Sequence, residues 1–252
     1  MRICINPLTL YGVRNPADAF DAMKAVDCRD FELWHVAPGE AETLRTAMDA
    51  AGMRLHAFCT RAFDLTDPNR REAYLEGLRD ALADAARLGC RRLITQVGQD
   101  TGMPRAAQHQ SVLEGLSACV PLLEAAGVTL LVEPLNTVKD HPGYYLTDSQ
   151  EAFDLIETVD SPCVRVLYDV YHQLHMGEPV MARIRDNLPL IGHIHLAGLP
   201  NRDERLFENY DHAPLFRMLD EIGYAGLAGL ELFPSAGSLP GLFAELGTFR
   251  QE

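Results

Sequence analysis

Four short apolar segments in the second half of the chain each end in a side chain that can bind a metal ion. These side chains are the carboxylates and the imidazole of Glu133, Asp169, His195 and Glu231. They lie 36, 26 and 36 residues apart, about one strand-plus-helix unit each time. If the segments are neighbouring parallel strands, their carboxyl ends meet at one edge. Three carboxylates would repel one another there unless a cation held them, so the spacing predicts a divalent metal site.

The chemistry of this ligand set restricts the metal without choosing it. Oxygen-rich ligation with one imidazole suits Mn²⁺ or Mg²⁺ best, with Co²⁺ or Zn²⁺ as further candidates. Each residue also has an ordinary alternative role. Glu133 and Glu231 could form unrelated ion pairs, and Asp169 could cap a helix. His195 could be a hydrogen-bonded core residue, but the coincidence of all four at strand ends favours the metal site.

Three more residues are predicted to contact a substrate at the same edge. His172 lies three residues after Asp169, so one helical turn would return it to the site. Arg202 follows the seventh strand and could hold an anionic or hydroxyl-rich ligand, with a solvated surface arginine as the alternative. His56 is placed at the end of the third strand, facing the same edge, whereas Trp34 is expected to pack in the core.

Strand-like and helix-like segments alternate eight times along the chain. The predicted strands are Arg2–Asn6, Phe31–Val36, Arg54–Cys59, Arg92–Val97, Val128–Glu133, Val164–Asp169, Leu190–Leu196 and Leu227–Leu232. The predicted helices are Ala17–Ala25, Glu40–Ala51, Arg70–Leu88, Ala106–Ala126, Thr147–Val159, Val180–Asn187, Ala213–Ile222 and Leu239–Phe249, the fifth with Thr147 as its capping residue. The strands are mostly continuous apolar runs, as in a sheet covered on both faces.

Eight such units in 252 residues predict an α/β fold, a single (β/α)8 TIM-barrel domain spanning residues 1–252. An active site would then form at the carboxyl ends of the strands. An open doubly wound sheet is the structural alternative. The chain has neither G-x-G-x-x-G after its first strand nor G-x-x-x-x-G-K-[ST], so no nucleotide-binding motif supports that alternative.

The composition of the chain limits which partners it can bind and in which cellular compartment it is expected. The formal net charge of −14 disfavours a nucleic-acid partner, because phosphate binding needs a basic surface. Six cysteines occur singly, with no C-x-x-C pair, and predict free thiols in a reducing compartment. No stretch approaches the roughly 18–20 apolar residues of a membrane span. A cytoplasmic protein with no membrane partner is expected.

Four motifs together resemble those of a known family. The segments LVEPLN, LYDVYHQ, IGHIHL and LELFP are similar to those of the hydroxypyruvate isomerase-like group, within the xylose isomerase-like sugar isomerase and epimerase barrels. The resemblance implies one divalent metal bound by Glu133, Asp169, His195 and Glu231, with Glu133 and Glu231 as the acid–base pair. It also implies substrate contacts from His172 and Arg202.

The implied activity is isomerisation or epimerisation of a small hydroxy-carbonyl compound, by proton transfer through an enediolate. Hydroxypyruvate, a keto-sugar or a sugar phosphate would be the small-molecule partner, and relatives are often dimers or tetramers. Two departures leave the substrate open. Hydroxypyruvate isomerases proper often have Gln where this chain has His195, and their loop P-G-R-H-E-P-G-T-G-E is replaced here by P-N-R-D-E-R-L-F-E-N.

Three other functions fit the same barrel. A lyase of the keto-inositol dehydratase type would use the same metal and glutamates. An apurinic-site endonuclease-like hydrolase would need three metals and extra His ligands, but the fourth strand ends Thr95-Gln96-Val97 with no histidine. A barrel that binds sugars without catalysing a reaction is the third alternative.

Overall fold

The computed structural model describes residues 2–235 and 239–249. Eight parallel strands close in sequence order into a barrel in which β8 pairs with β1. They are β1 Arg2–Ile5, β2 Asp30–Leu33, β3 Arg54–Cys59, β4 Arg92–Thr95, β5 Thr129–Val132, β6 Val164–Asp169, β7 Ile191–Leu196 and β8 Leu227–Leu230. The predicted (β/α)8 barrel is confirmed.

Helices connect the strands and cover the outside of the barrel. The α-helices are α1 Pro7–Leu10, α2 Phe20–Ala25, α3 Ala41–Ala51, α4 Arg71–Leu88, α5 Arg105–Ala126, α6 Ser149–Val159, α7 Val170–His175, α8 Val180–Asn187, α9 Ala213–Glu221 and α10 Leu239–Gly247. Short 3₁₀ turns at Pro16–Ala19, Pro68–Arg70 and Leu188–Leu190 precede or follow them. All eight predicted helices are present to within a few residues, whereas the short helices α1 and α7 were not predicted.

Two kinds of boundary differ from the prediction. Helix α6 begins at Ser149 and is capped by Asp148, whose carboxylate accepts a hydrogen bond from Gln150 N at 2.8 Å, so the predicted cap at Thr147 was wrong. Asp is as good a capping residue as Thr, and its position one residue later displaces the helix start. Several strands also stop one or more residues early, which leaves Trp34, Glu133 and Glu231 just beyond the hydrogen-bonded ladder.

The core has two layers. The larger one packs the helices against the outer face of the strands, and the smaller one fills the barrel with Ala57, Cys59, Ile94, Leu131 and Leu167. All six cysteines lie within the described residues; none of them forms a disulfide, and all but Cys163 are buried. Within the described ranges, the helices are too short or too polar to cross a bilayer.

Candidate active site

The four predicted metal ligands meet at the carboxyl-terminal mouth of the barrel. Glu133, Asp169, His195 and Glu231 each offer one ligand atom, and these atoms all lie within 4.8 Å of one another. Their exposed fractions are only 4%, 1%, 3% and 8%. Buried carboxylates at this spacing need a compensating positive charge, because removing them from water is costly.

The free atoms of the cluster fit a cation. His195 Nδ1 lies 3.4 Å from Glu231 Oε2 and 3.9 Å from Glu133 Oε1. Among the residues described, His195 Nδ1 and Glu133 Oε1 are buried and have no hydrogen-bond partner. Buried polar atoms are nearly always paired, so these two orphans facing one another mark a space that a metal ion would satisfy.

A carboxylate below the mouth fixes the orientation of His195. Glu32 on β2 is buried, and its Oε2 lies 2.9 Å from Nε2 of His195. Nε2 is therefore the donor nitrogen, which leaves Nδ1 as a lone-pair ligand. Gly229 on β8 makes room for this pair, because a Cβ there would lie 2.6 Å from both Glu32 Oε2 and His195 Cδ2. Sequence reasoning missed Glu32, although a carboxylate inside the apolar run F-E-L-W was a signal.

Glu133 is held at the end of β5 by two neighbours. Gln96 Nε2 donates to Glu133 Oε2 at 3.0 Å, and the Tyr144 hydroxyl donates to the Glu133 carbonyl at 2.9 Å. Burial, and after it the charge of Glu231, raise the pKa of Glu133 to about 8. Without a cation, this carboxyl carries a proton at neutral pH.

Glu231, in contrast to Glu133, has a lowered pKa and is ionised. Burial alone would raise its pKa, but Arg202, His195 and the indole N–H of Trp34 together lower the pKa of Glu231 below its usual range. Arg202 Nη2 pairs closely with Glu231 Oε2 and lies 3.6 Å from Asp169 Oδ2. The guanidinium therefore supplies positive charge beside the ligand cluster, whereas its predicted contact with substrate stays a prediction.

Asp169 and His172 share the start of α7. Asp169 Oδ1 caps the helix by accepting a hydrogen bond from His172 N at 3.2 Å, so the capping role is real but uses one oxygen only. Asp169 Oδ2 faces the site and lies 3.5 Å from His172 Nε2. Burial lowers the pKa of His172 to about 4, so the ring is neutral and its Nε2 can contact a ligand.

Glu133, His195 and Glu231 line a cavity of about 770 Å³. Trp34, Val36, Pro38 and Phe63 form an apolar wall. The polar wall of the cavity contains Gln96, Gln99, His141, His172 and Arg202. A volume of this size is typical of small-molecule sites.

Two predicted positions are corrected by the structure. His56 is the third residue of β3 rather than its last, and it lines a different cavity at the amino-terminal face of the barrel. Its ring packs 4.8 Å from that of His193, so the predicted substrate contact at the mouth is wrong. Trp34 is 40% exposed at the mouth and donates its indole N–H to Glu231 Oε1, where core packing had been expected.

The fold and the site define a class of protein: a (β/α)8 barrel whose mouth carries a buried carboxylate–imidazole cluster able to hold a metal ion. The sequence model of the family described as "Xylose isomerase-like TIM barrel" matches residues 16–248. The chain belongs to this family.

Individual relatives are similar over most of the chain. It is 30% identical over 237 residues to a putative hydroxypyruvate isomerase of Homo sapiens, covering 87% of this chain and 86% of that protein. It is also 30% identical over 250 residues to a 2-oxo-tetronate isomerase of Cupriavidus necator, covering 96% of both chains. A crystal structure titled AP endonuclease, family 2, from Brucella melitensis superposes with a TM-score of 0.90 at 24% identity, covering 99% of both chains, a likeness of fold alone.

Proposed function

We propose that this chain is a metal-dependent isomerase or epimerase acting on a small hydroxy-carbonyl compound. The observation that carries the proposal is the convergence of Glu133, Asp169, His195 and Glu231 within 4.8 Å beneath an open cavity. Relatives named as hydroxypyruvate and 2-oxo-tetronate isomerases support the substrate class, a small hydroxylated keto-acid or keto-sugar.

The metal ion would be held by Glu133, Asp169, His195 and Glu231, with Mn²⁺ or Mg²⁺ favoured by the three carboxylates. When bound, it supplies positive charge that stabilises the oxyanion of an enediolate as that charge develops. Glu32 orients the His195 ring for this role through the Nε2 contact.

Glu133 and Glu231 are proposed as the proton-transfer pair. One carboxylate removes a proton from carbon next to the carbonyl, and the other returns a proton. Return to the opposite face of the same carbon gives epimerisation, whereas return to the neighbouring carbon gives isomerisation. The hydrogen bonds from Gln96 and Trp34 hold the two carboxylates in place.

Arg202 and His172 are proposed to bind substrate oxygens on the polar wall. Both line the cavity, and the Arg202 guanidinium lies over the Tyr171 ring at 5.3 Å, which limits its movement. His172 is neutral and accepts at Nδ1 from Asn136, so Nε2–H is available to a carbonyl or hydroxyl oxygen.

A three-metal hydrolase fits these residues less well. Gln96 stands after β4 and is already hydrogen-bonded to Glu133. Asp203 is paired with Arg205, and Glu204 accepts hydrogen bonds from Ser235. Gln96, Asp203 and Glu204 are therefore already engaged by neighbouring side chains and are not free to bind further metals. The net charge of −14 also opposes a DNA partner.

The test is hydrogen exchange in D₂O. Enzyme loaded with Mn²⁺ is incubated with hydroxypyruvate, a panel of ketoses and a keto-inositol, and the carbon-bound deuterium and product mass are measured. We expect deuterium incorporation with at least one compound and a product of unchanged mass apart from the label. A product lacking one water would identify a dehydratase instead.

Matched variants connect the exchange to the two glutamates. Glu133→Gln and Glu231→Gln keep the shape of each side chain and are expected to abolish exchange while the circular dichroism spectrum stays that of the parent. Exchange above a few per cent of the parent rate in either variant removes that residue from the mechanism. Exchange at the parent rate in enzyme shown by elemental analysis to be metal-free would refute the metal dependence.

A further inference from the structure

A second group of metal-binding side chains lies inside the barrel, towards the amino-terminal ends of the strands. Cys4 on β1, Glu32 on β2, His56 on β3 and His193 on β7 each offer one ligand atom, and these atoms lie within 4.8 Å of one another. We call these four residues the lower cluster. It shares no residue with the four ligands at the mouth.

The lower cluster contains buried polar atoms that hydrogen bonding does not satisfy. Within residues 2–235 and 239–249, Glu32 Oε1, His193 Nδ1 and His56 Nε2 are buried and have no hydrogen-bond partner. Glu32 Oε1 nonetheless lies 2.7 Å from His193 Nε2, and Cys4 Sγ lies 3.9 Å from the same nitrogen. Cys4, Glu32 and His193 are 0%, 2% and 0% exposed. Buried polar atoms without a hydrogen-bond partner are rare in folded proteins, and three of them belong to members of this cluster.

We propose that the lower cluster is a binding site for a borderline-soft divalent cation, Zn²⁺ in the first instance. One thiolate, two imidazoles and one carboxylate are ligands that tetrahedral zinc accepts. Metal–ligand bonds of roughly 2.0–2.3 Å place the ligand atoms of a tetrahedral site about 3.3–3.8 Å apart. The ligand atoms lie within 4.8 Å of one another, so binding would draw the wider pairs together and separate Glu32 Oε1 from His193 Nε2, which are 2.7 Å apart.

Charge also favours a cation at this position. A Cys4 thiolate and the Glu32 carboxylate together balance two positive charges, so the occupied site would be neutral among buried side chains. The site would join four strands of the barrel, β1, β2, β3 and β7. Access is from the amino-terminal face, where His56 lines a cavity of about 530 Å³.

The lower cluster is connected to the mouth through one side chain. Glu32 presents Oε1 to the lower cluster and Oε2 to His195 Nε2 at 2.9 Å. A cation below would therefore fix the carboxylate that orients a ligand of the upper metal.

Sulfur distinguishes the two sites experimentally. The mouth ligands are oxygen and nitrogen atoms only, whereas Cys4 supplies sulfur to the lower cluster. The metal-free chain is titrated with Co²⁺, and we expect two cobalt ions per chain and a thiolate-to-cobalt charge-transfer absorption that saturates at one of them. One ion per chain with no such absorption would overturn the proposal.

Variants identify the source of the absorption. Cys4→Ser is expected to remove the band and one of the two ions. Cys59→Ser is the matched control, because Cys59 lies at the mouth and its loss should leave the band unchanged. A band that survives in Cys4→Ser, or disappears in Cys59→Ser, would overturn the assignment.

A second variant keeps the test decisive if Cys4→Ser does not fold. His56→Gln changes the cluster member nearest solvent and is expected to weaken binding of the second cobalt ion at least tenfold while the first ion is retained. Unchanged affinity for both ions in His56→Gln contradicts the proposal. Deuterium exchange with the substrate panel is measured in parallel, so failure of the lower site and failure of the proposed activity remain distinguishable.

Discussion

Binding of the metal ion at the mouth should displace about one proton from Glu133. Burial and the charge of Glu231 raise the pKa of Glu133 to about 8 in the metal-free protein. A metal ligand must be ionised, so the proton and the cation compete for the same carboxylate. Because the pKa is raised, the proton is present below pH 8 and absent above it. The contribution of Glu133 to the pH dependence of metal affinity should therefore increase the affinity with pH up to about 8 and then level off.

The size of the pH effect on metal affinity follows from how far the pKa of Glu133 is raised. At pH 6.5 the solution is about 1.5 units below the pKa, so nearly one full proton is released from Glu133 on binding. Removing that proton costs about 2 kcal/mol, so Glu133 alone makes the apparent affinity roughly thirtyfold weaker at pH 6.5 than at pH 9. The pKa of His195 is also raised, chiefly by Glu32 against the effect of burial, so a second proton should leave from its ring.

Calorimetric titration with Mn²⁺ measures the apparent metal affinity and the number of protons released. At pH 6.5, in two buffers that differ in ionisation enthalpy, the change in observed heat gives the number of protons released. Glu133→Gln is the comparison, since its amide has the shape of the carboxyl but no proton to lose, and it should release about one proton fewer. Equal proton release from the parent and from Glu133→Gln, or an affinity independent of pH between 6.5 and 9, would refute the reasoning.

Three further predictions follow from contacts around the mouth and below it. Gly229→Ala places a methyl 2.6 Å from Glu32 and should destabilise the fold by about 1–3 kcal/mol in urea unfolding. Gly247→Ala is the control, because a Cβ there has nothing within 4 Å and should not destabilise the fold. Equal unfolding midpoints for the two variants would contradict this prediction. Trp34→Phe removes the N–H donated to Glu231 and should lower kcat/KM roughly tenfold on the substrate found by exchange, so a change below twofold would exclude a role for that bond. Burial lowers the pKa of His56 to about 3, below the unfolded value of 6.5, so the folded state binds fewer protons and loses stability as pH falls below about 6.5. At pH 5.5 this loss is about 1.4 kcal/mol relative to pH 8 in the metal-free chain, and His56→Gln should remove it; the same pH dependence in the variant would argue against a buried neutral ring.

The position of a ligand at a strand end was predictable because parallel strands in a barrel place their carboxyl ends at one mouth. Glu133, Asp169, His195 and Glu231 were brought together on that argument, and the structure places their ligand atoms within 4.8 Å. The strand boundaries could not be read with the same accuracy. Apolar residues continue past the last hydrogen-bonded pair, so the sequence does not mark where a ladder ends.

His56 shows why the prediction of mouth residues from strand ends failed for a residue in the middle of a strand. Side chains of one strand that point into the barrel form successive layers, and the layer decides which face of the barrel they reach. His56 lies three residues before the end of β3 and is in the lower layer with His193, away from the mouth. Its residue type was informative about metal chemistry, but its depth depended on a strand end that only the folded chain defines.

Glu32 and Arg202 depend on tertiary structure even more strongly. Glu32 is 163 residues from His195, and their contact exists because closure of the barrel brings β2 close to β7 across a gap left by Gly229. Arg202 reaches Glu231 from a loop in which its own backbone is left-handed, with φ at 57°. Such a conformation is uncommon for a residue with a β-carbon, and here the ion pairs with Glu231 and Asp169 offset its cost. The order of the strands therefore predicts which side chains meet as metal ligands. The contacts of Glu32 and Arg202 that tune these ligands join residues far apart in the sequence, so a local sequence pattern does not predict them.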